Sequence, residues 1–396
     1  MNLTESIEEK SFRNEVRDFV TKNLPADIKD KVLTFRHLAK EDYVRWHAIL
    51  DSVGWSAPSW PVEYGGTGWS GTYRTIFEEE CLLGGAPRLL AHVGMIGPVL
   101  INYGTEQQKD FFLQKTRALE LLWCQGYSEP GAGSDLASLK TRADREGDHY
   151  VVNGQKTWTS LSHWADWMFA LVRTSQTERP QDGISFLLID MNTPGITRRQ
   201  IRQVNGADEL TEVFFDQVKV PVENLVGDEN KGWTVAKSLL QHERMNQADI
   251  GLCARMMRRL KEVAMNQEKR GRPLLADPVF RARVSTVEAE LMAHQWAIKR
   301  TLSLMENGDG GRIGIPLLKL GATAIVQKAS ELLMECAGPD ALPFISEALN
   351  EENSIELPNA IEIHTLMANY LDWRKISIYG GTTEVTKGIV AKQIGL

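Results

Sequence analysis

The chain has 396 residues, with 45 Lys and Arg against 52 Asp and Glu, a net charge of −7. At roughly 150 residues per domain this length fits two or three cores, and 42% hydrophobic with 24% charged residues supplies the apolar matter to build them. The acidic balance argues against a dedicated nucleic-acid or anionic-membrane binder. Cys81, Cys124, Cys253 and Cys336 are dispersed. That excludes a disulfide scaffold or a structural zinc site and suits a reducing compartment. Met1 to Lys22 reads as neither signal nor transit peptide, and the longest apolar stretch, Leu89–Ile101, falls short of the roughly 20 residues that span a bilayer. The expectation is a cytoplasmic, metal-free chain. Its 11 Trp outnumber its 8 Tyr, which leaves flat aromatic surface for a core or for a flat ligand.

The first 120 residues read as helical. Phe12, Val16, Phe19 and Val20 follow a 3.6-residue period, Ser6 and Glu9 stand at capping-box spacing, and Pro25 stops the run. Further helical patterns cover about 40–53, 72–83, 88–102 and 105–116, with a Gly/Pro loop over Ala57–Gly71. From about 122 the texture becomes strand-like. Tyr150–Val152, an Asn153-Gly154 turn and Gln155–Ser160 read as a hairpin, and Trp167–Arg173, Ile184–Asp190 and Glu212–Val218 as further strands. After Gly227 the helical period returns: Thr234–Arg270 reads as one long helix with Leu252, Met256 and Leu260 on one face. Phe280–Asn307, Pro316–Ala337 and His364–Ile376 complete a bundle. Arg255, Arg258 and Arg259 read as a solvated face. The fold class is therefore mostly α with a central β domain, divided at 1–121, 122–230 and 231–396.

Three tempting motifs fail. Gly66-x-Gly68-x-x-Gly71 follows Pro58 and Pro61 rather than a strand, and Arg88 stands where a dinucleotide site needs an acid. His242-Glu243 opens an HExxH pattern that Asn246 breaks. No G-x-S-x-G elbow or P-loop occurs. A constellation remains. Tyr127–Asp135 is a small-residue loop that lets backbone approach a ligand, though alone it could be a polar turn. Trp158 and Ser160, two apart on a strand, put an indole and a hydroxyl on one side, and Ile378–Glu384 is a Gly-containing run after a helix.

Taken with Pro61-x-x-Tyr64-Gly65-Gly66-x-Gly68, Asn102–Lys109, Val152–Trp158 and Phe215–Gly227, these strings resemble the acyl-CoA dehydrogenase flavoprotein family over essentially the full chain, and within it the large subunits of pimeloyl-CoA dehydrogenase-like and steroid-CoA enzymes. The resemblance implies an α-helical N-domain, a middle β-barrel or sandwich domain and a C-terminal four-helix bundle. It also implies FAD, which such enzymes use to oxidise the Cα–Cβ bond of an acyl-CoA thioester to the trans-2-enoyl-CoA, passing electrons to an electron-transfer flavoprotein. By motif position Trp158 packs on the flavin ring, Ser160 and Ser128 contact it, Gly133 and Ser134 lie at the pyrophosphate, and Tyr127, Thr382 and Glu384 complete the cofactor set.

Many family members carry Glu directly after the Tyr of the C-terminal motif, but here that residue is Gly380. A minority place the base on the first bundle helix before an Arg, which matches Glu243-Arg244. Glu243 also lies at helix spacing from Ala236, Leu239, Leu240 and Ile250, an apolar stripe that would raise its pKa toward general-base values; the plain alternative is a surface ion pair. Gly380 N–H keeps the role of holding the thioester oxygen. Met95, Leu240, Arg244, Tyr379 and Ser134 complete the expected substrate set, with Leu89–Leu100 along the acyl cavity.

The half-site that homotetrameric relatives donate to a neighbour's FAD is missing. Its Arg-x-x-Phe-Gly string aligns with Gln267–Gly271, which lacks both Arg and Phe, and its Gly-rich string with Ala337–Asp340, which has one Gly. The implied partner is a paralogous subunit in an α2β2 assembly, with a homo-oligomer as the alternative. Two other readings stay open: a catalytically silent subunit, and a flavin monooxygenase or oxidase on the same fold.

Overall fold

The computed structural model describes residues 4–246, 248–307, 314–350 and 361–396, and of 91–92, 240–246 and 361–362 the backbone alone. The N-terminal region packs α1 (Ile7–Asn23), α2 (Ala26–Leu33), α3 (Lys40–Asp51), α4 (Gly71–Gly84), α5 (Ala91–Tyr103) and α6 (Glu106–Arg117). The Ser6–Glu9 capping box forms with both hydrogen bonds, at 2.8 and 3.1 Å. Pro25 ends α1 and begins α2, a helix too short for its period to show in sequence. In α5, Pro98 sits inside the helix, and Trp60 fills the adjoining space. The Trp60 indole donates to Val93 O at 2.8 Å, and a Cβ at Gly97 would stand 2.1 Å from its ring. Only glycine lets α5 pass this close to a fully buried indole.

The middle region is a seven-stranded sheet of order β1-β4-β2-β3-β7-β6, with β5 paired to β4. The strands are β1 (Trp123–Gly126), β2 (Arg142–Glu146), β3 (His149–Ser160), β4 (Trp167–Arg173), β5 (Ile184–Asp190), β6 (Ile196–Ile201) and β7 (Leu210–Pro221). The Asn153-Gly154 hairpin does not exist. Residues 149–160 form one strand, and its tight turn lies upstream at Gly147 (φ 65), joining β2 to β3. Asn153 instead accepts from Gln217 N at 2.8 Å, where β7 bulges. The turn signal at 153–154 was real polar chemistry serving a neighbouring strand.

The C-terminal region contains α7 (Gly232–Asn246), α8 (Ile250–Asn266), α9 (Pro278–Glu306), α10 (Gly314–Ala337), α11 (Ile361–His364), α12 (Leu366–Asp372) and α13 (Thr383–Gln393). The single helix expected over 234–270 is two. The break contains Asp249 at φ 48, and His294 hydrogen-bonds Ala248 O at 2.6 Å. Leu252, Met256 and Leu260 do share a buried face on α8, whereas Val235, Ala236 and Leu239 of α7 are buried in a separate cluster with α5 and the sheet. The arginine cluster is also corrected. Arg258 is exposed, but Arg255 is enclosed: Nε and Nη1 make no hydrogen bond among the described residues, and burial beside Arg88 pushes it down to about 10. No helix among the described residues is long and apolar enough to cross a membrane.

Candidate active site

The loop after β1 is anchored by charge. Lys156 on β3 is fully buried and donates to Glu129 Oε1 at 2.8 Å and to Tyr127 O at 3.1 Å. Glu129 accepts further from the N–H groups of Lys140 (2.6 Å) and Thr141 (2.9 Å). Burial opposes the Glu129 carboxylate, yet Lys156 and these donors hold it below the usual range, while burial pushes Lys156 down to about 8 against the pull of Glu129. The chain between is thereby fixed. Thr157 N–H donates to Ser128 O at 2.9 Å, while Gly133 and Ser134 stand exposed, and a Cβ on Gly131 or Gly133 would meet nothing within 4 Å. Tyr127 contributes backbone here; its ring is buried edge-on to Phe169 and Phe186.

Trp158 is the clearest site residue. The register of β3 on β7 slips between Lys156 and Thr159, a bulge that gives Trp158 φ 57 and leaves its indole 60% exposed. A bulky residue in that backbone region is uncommon and strained, and bulges re-aim side chains. Thr157 and Thr159 are buried while Trp158 and Ser160 are exposed, so the indole and hydroxyl share a side.

The other wall is the turn before α13. Gly380 (φ 62) and Gly381 (φ 95) bend the chain as only glycine does readily, and buried Lys319 on α10 donates to Tyr379 O at 2.7 Å and to Gly381 O. Thr382 caps α13, accepting from Val385 N–H at 3.1 Å, and Glu384 is exposed in its first turn. This turn and the end of β3 are tied together. Leu161 N–H donates to Glu209 O, and the Glu209 carboxylate takes Lys375 at 2.9 Å, four residues before Tyr379. Lys375 also pairs with Asp372 at 2.7 Å. Burial raises Asp372 despite that lysine; for Glu209 burial acts the same way but is outweighed by Lys375 and Gln203.

Glu243, Arg244 and Leu240 lie on α7, and their side chains are outside the described residues. Met95 is a buried core residue of α5. The sequence reading missed Glu129, Lys156, Lys319, Glu209 and Lys375 as the groups that position the site. A lysine at an inward position of a strand was the one available signal for Lys156. A strained, exposed indole beside a hydroxyl, a loop open to backbone approach and a capped helix start make a set that suits a planar cofactor with a phosphate tail.

Family models for the acyl-CoA dehydrogenase N-terminal, middle and C-terminal domains match residues 6–120, 124–218 and 230–395. The chain belongs to the acyl-CoA dehydrogenase family. It is an oxidoreductase of that family, with the family's three-part architecture. Acyl-CoA dehydrogenase IpdE1 of Mycolicibacterium smegmatis (strain ATCC 700084 / mc(2)155) is 33% identical over 98% of this chain and 97% of its own length. Among solved structures, the Tcur3481-Tcur3483 steroid ACAD superposes with TM-score 0.87 at 29% identity, covering 100% of this chain and 99% of that one. The ChsE4-ChsE5 complex from Mycobacterium tuberculosis gives 0.84 at 30% identity, covering 100% and 99%.

Proposed function

We propose that the chain is the catalytic subunit of an FAD-dependent acyl-CoA dehydrogenase that forms the trans-2-enoyl-CoA, with Glu243 as the base. The carrying observation is the exposed, strained Trp158 beside Ser160, tied through Glu209 and Lys375 to the Tyr379–Gly381 turn. Trp158, Ser160 and Ser128 would hold the flavin ring, with Gly133, Ser134, Thr382 and Glu384 toward its tail. When bound, FAD supplies the acceptor for the β-hydrogen, which leaves the substrate as hydride.

The protein's own work is proton transfer and charge stabilisation. The Glu243 carboxylate takes the α-proton, with Arg244, next in sequence, in the substrate set. As that proton leaves, negative charge gathers on the thioester oxygen, and Gly380 N–H donates to it. Lys319, by gripping the carbonyls on either side of Gly380, holds that N–H in place before charge develops. Met95, Leu240 and Tyr379 would contact the acyl group. Glu243→Gln keeps size and hydrogen bonding but removes the base, so it should retain FAD and lose about 10²–10⁴-fold in dehydrogenation rate. A rate equal to that of the unaltered protein rejects Glu243 as base.

The chain lacks the strings that relatives donate to a neighbour's FAD, and the ChsE4-ChsE5 relative is a complex of two proteins. Both support assembly with a paralogous subunit in an α2β2 complex of units divided near 121 and 230, working in the cytoplasm with an electron-transfer flavoprotein. α9 offers surface for such contacts, with Met292 and Trp296 exposed. Purified alone, the chain should bind FAD weakly. A stable homotetramer with one tight FAD per chain contradicts the heteromeric assembly.

A further inference from the structure

The β domain and the turn at Gly380 meet at one lysine. Lys375 lies on a short 3₁₀ turn, Trp373–Ser377, that leads from α12 into the Ile378–Gly381 segment. Its ammonium donates to Gln203 Oε1 at 2.7 Å and to Glu209 Oε1 at 2.9 Å, both on the loop between β6 and β7. It also pairs with Asp372 Oδ1 at 2.7 Å. A second bond spans the same gap, from Asn205 Nδ2 to Asp372 Oδ1 at 2.7 Å. Asn205 is buried, and its own Oδ1 accepts from Ala207 N–H at 3.1 Å, so the loop that reaches across is itself held in shape. Burial would lower the Lys375 ammonium, but Asp372 and Glu209 hold its pKa above the usual lysine value. The cation is therefore permanent at neutral pH.

The two ends of this joint carry the two halves of the candidate site. On the loop side, Glu209 O accepts from Leu161 N–H at 2.8 Å, and Leu161 directly follows Ser160. On the turn side, Lys375 O accepts from Ile378 N–H at 2.9 Å and from Tyr379 N–H at 3.2 Å. One residue thus grips the loop with its side chain and sets the approach to Gly380 with its backbone. Lys319 ties the same turn to α10; Lys375 ties it to the sheet. The Lys375, Asp372 and Glu209 side chains are 31%, 26% and 46% exposed. Ion pairs this wet contribute little to global stability, but three acceptors around one ammonium fix a geometry.

We propose that Lys375 is a positioning residue: by joining the 203–209 loop to the turn, it sets the Gly380 N–H against the face that carries Trp158 and Ser160. The inference rests on the dehydrogenase reading above and adds to it how the oxygen-holding donor is registered on the flavin side. A donor stabilises a developing oxyanion only where it already stands at that oxygen's position, and a misplacement of about 1 Å can cost about 10²-fold.

The test uses the FAD-loaded protein, with its partner subunit where one co-purifies, and acetoacetyl-CoA. This small β-keto ester has no β-hydrogen to lose, so no turnover follows binding. Its α-carbon gives up a proton to form an enolate with charge on the thioester oxygen. An enolate stacked on oxidised flavin absorbs at long wavelength by charge transfer. Titration gives Kd and the band at saturation, at a pH where the unaltered complex shows half its full band. Lys375→Gln should keep FAD content and Kd within about threefold, while the enolate equilibrium falls about tenfold, read as about a fivefold loss of band. Lys375→Arg, which keeps the charge and the donors, should keep most of the band. Glu209→Gln weakens the grip without removing it, should lose about half of the band, and carries the test if Lys375→Gln does not fold. An undiminished band in Lys375→Gln and Glu209→Gln overturns the proposal and leaves the dehydrogenase reading standing, as does a band lost only in proportion to lost FAD. An unaltered protein that binds the ester and gives no band at any pH overturns both.

Discussion

The two polar constructions beside the candidate site are built in opposite ways. On the sheet, Glu129 and Lys156 form a closed unit: the lysine is fully buried, and the carboxylate takes Lys156, Lys140 N–H and Thr141 N–H. In the helical region, Arg74, Glu78, Arg88 and Asp249 form the open wall of a cavity of about 970 Å³, and Arg74 keeps an unused donor. A saturated buried pair orders the chain around it, whereas an unsaturated one is free to meet a ligand. The first positions the loop that precedes Gly133 and Ser134; the second leaves Arg74 and Arg88 facing open space.

The largest test of this contrast is Lys156→Met. It leaves the buried Glu129 carboxylate without its counter-charge and should cost about 3–5 kcal/mol of stability, read from the urea midpoint, with weakened FAD retention. Adding Glu129→Gln to that variant should recover part of the loss, because the stranded charge is then gone. A single variant as stable as the unaltered protein would show that the pair does not anchor the loop.

A smaller effect is expected at the open wall. Glu78 has its folded pKa raised from 4.5 to about 7 by burial and Asp249. Its contribution to stability is therefore fully present below pH 4.5 and is lost as pH rises through about 7. Glu78→Gln stays neutral throughout, so the fall in apparent Tm between about pH 5 and about pH 8 should flatten by about 1–3 °C. An unchanged slope would place Glu78 in a wetter setting than the cavity provides.

Much of the architecture was legible. The Ser6 cap, the strands 167–173 and 184–190, and the outward pairing of Trp158 with Ser160 all follow from spacing, because each depends on neighbours a few residues apart. The failures share another cause. Asn153-Gly154 carries a turn signature but serves a bulge in β7, 64 residues away, and residues 234–270 read as one helix across a break where Asp249 meets Arg88, 161 residues earlier. Arg255 had the spacing of a solvated face and is enclosed beside Arg88 and Tyr43.

What the sequence by itself determined was the family, the order of α, β and α regions, and the identity of the indole and hydroxyl on one strand face, since motif strings and local periodicity are carried within short windows. Only the tertiary structure decided that Lys156 is a buried anchor, that Lys319 grips the turn around Gly380, and that four charged residues from α4, the approach to α5 and the helix break share one cavity wall. Charge pairing across distant segments leaves no periodic trace in the chain. It exists only once packing brings those segments together and removes the water between them.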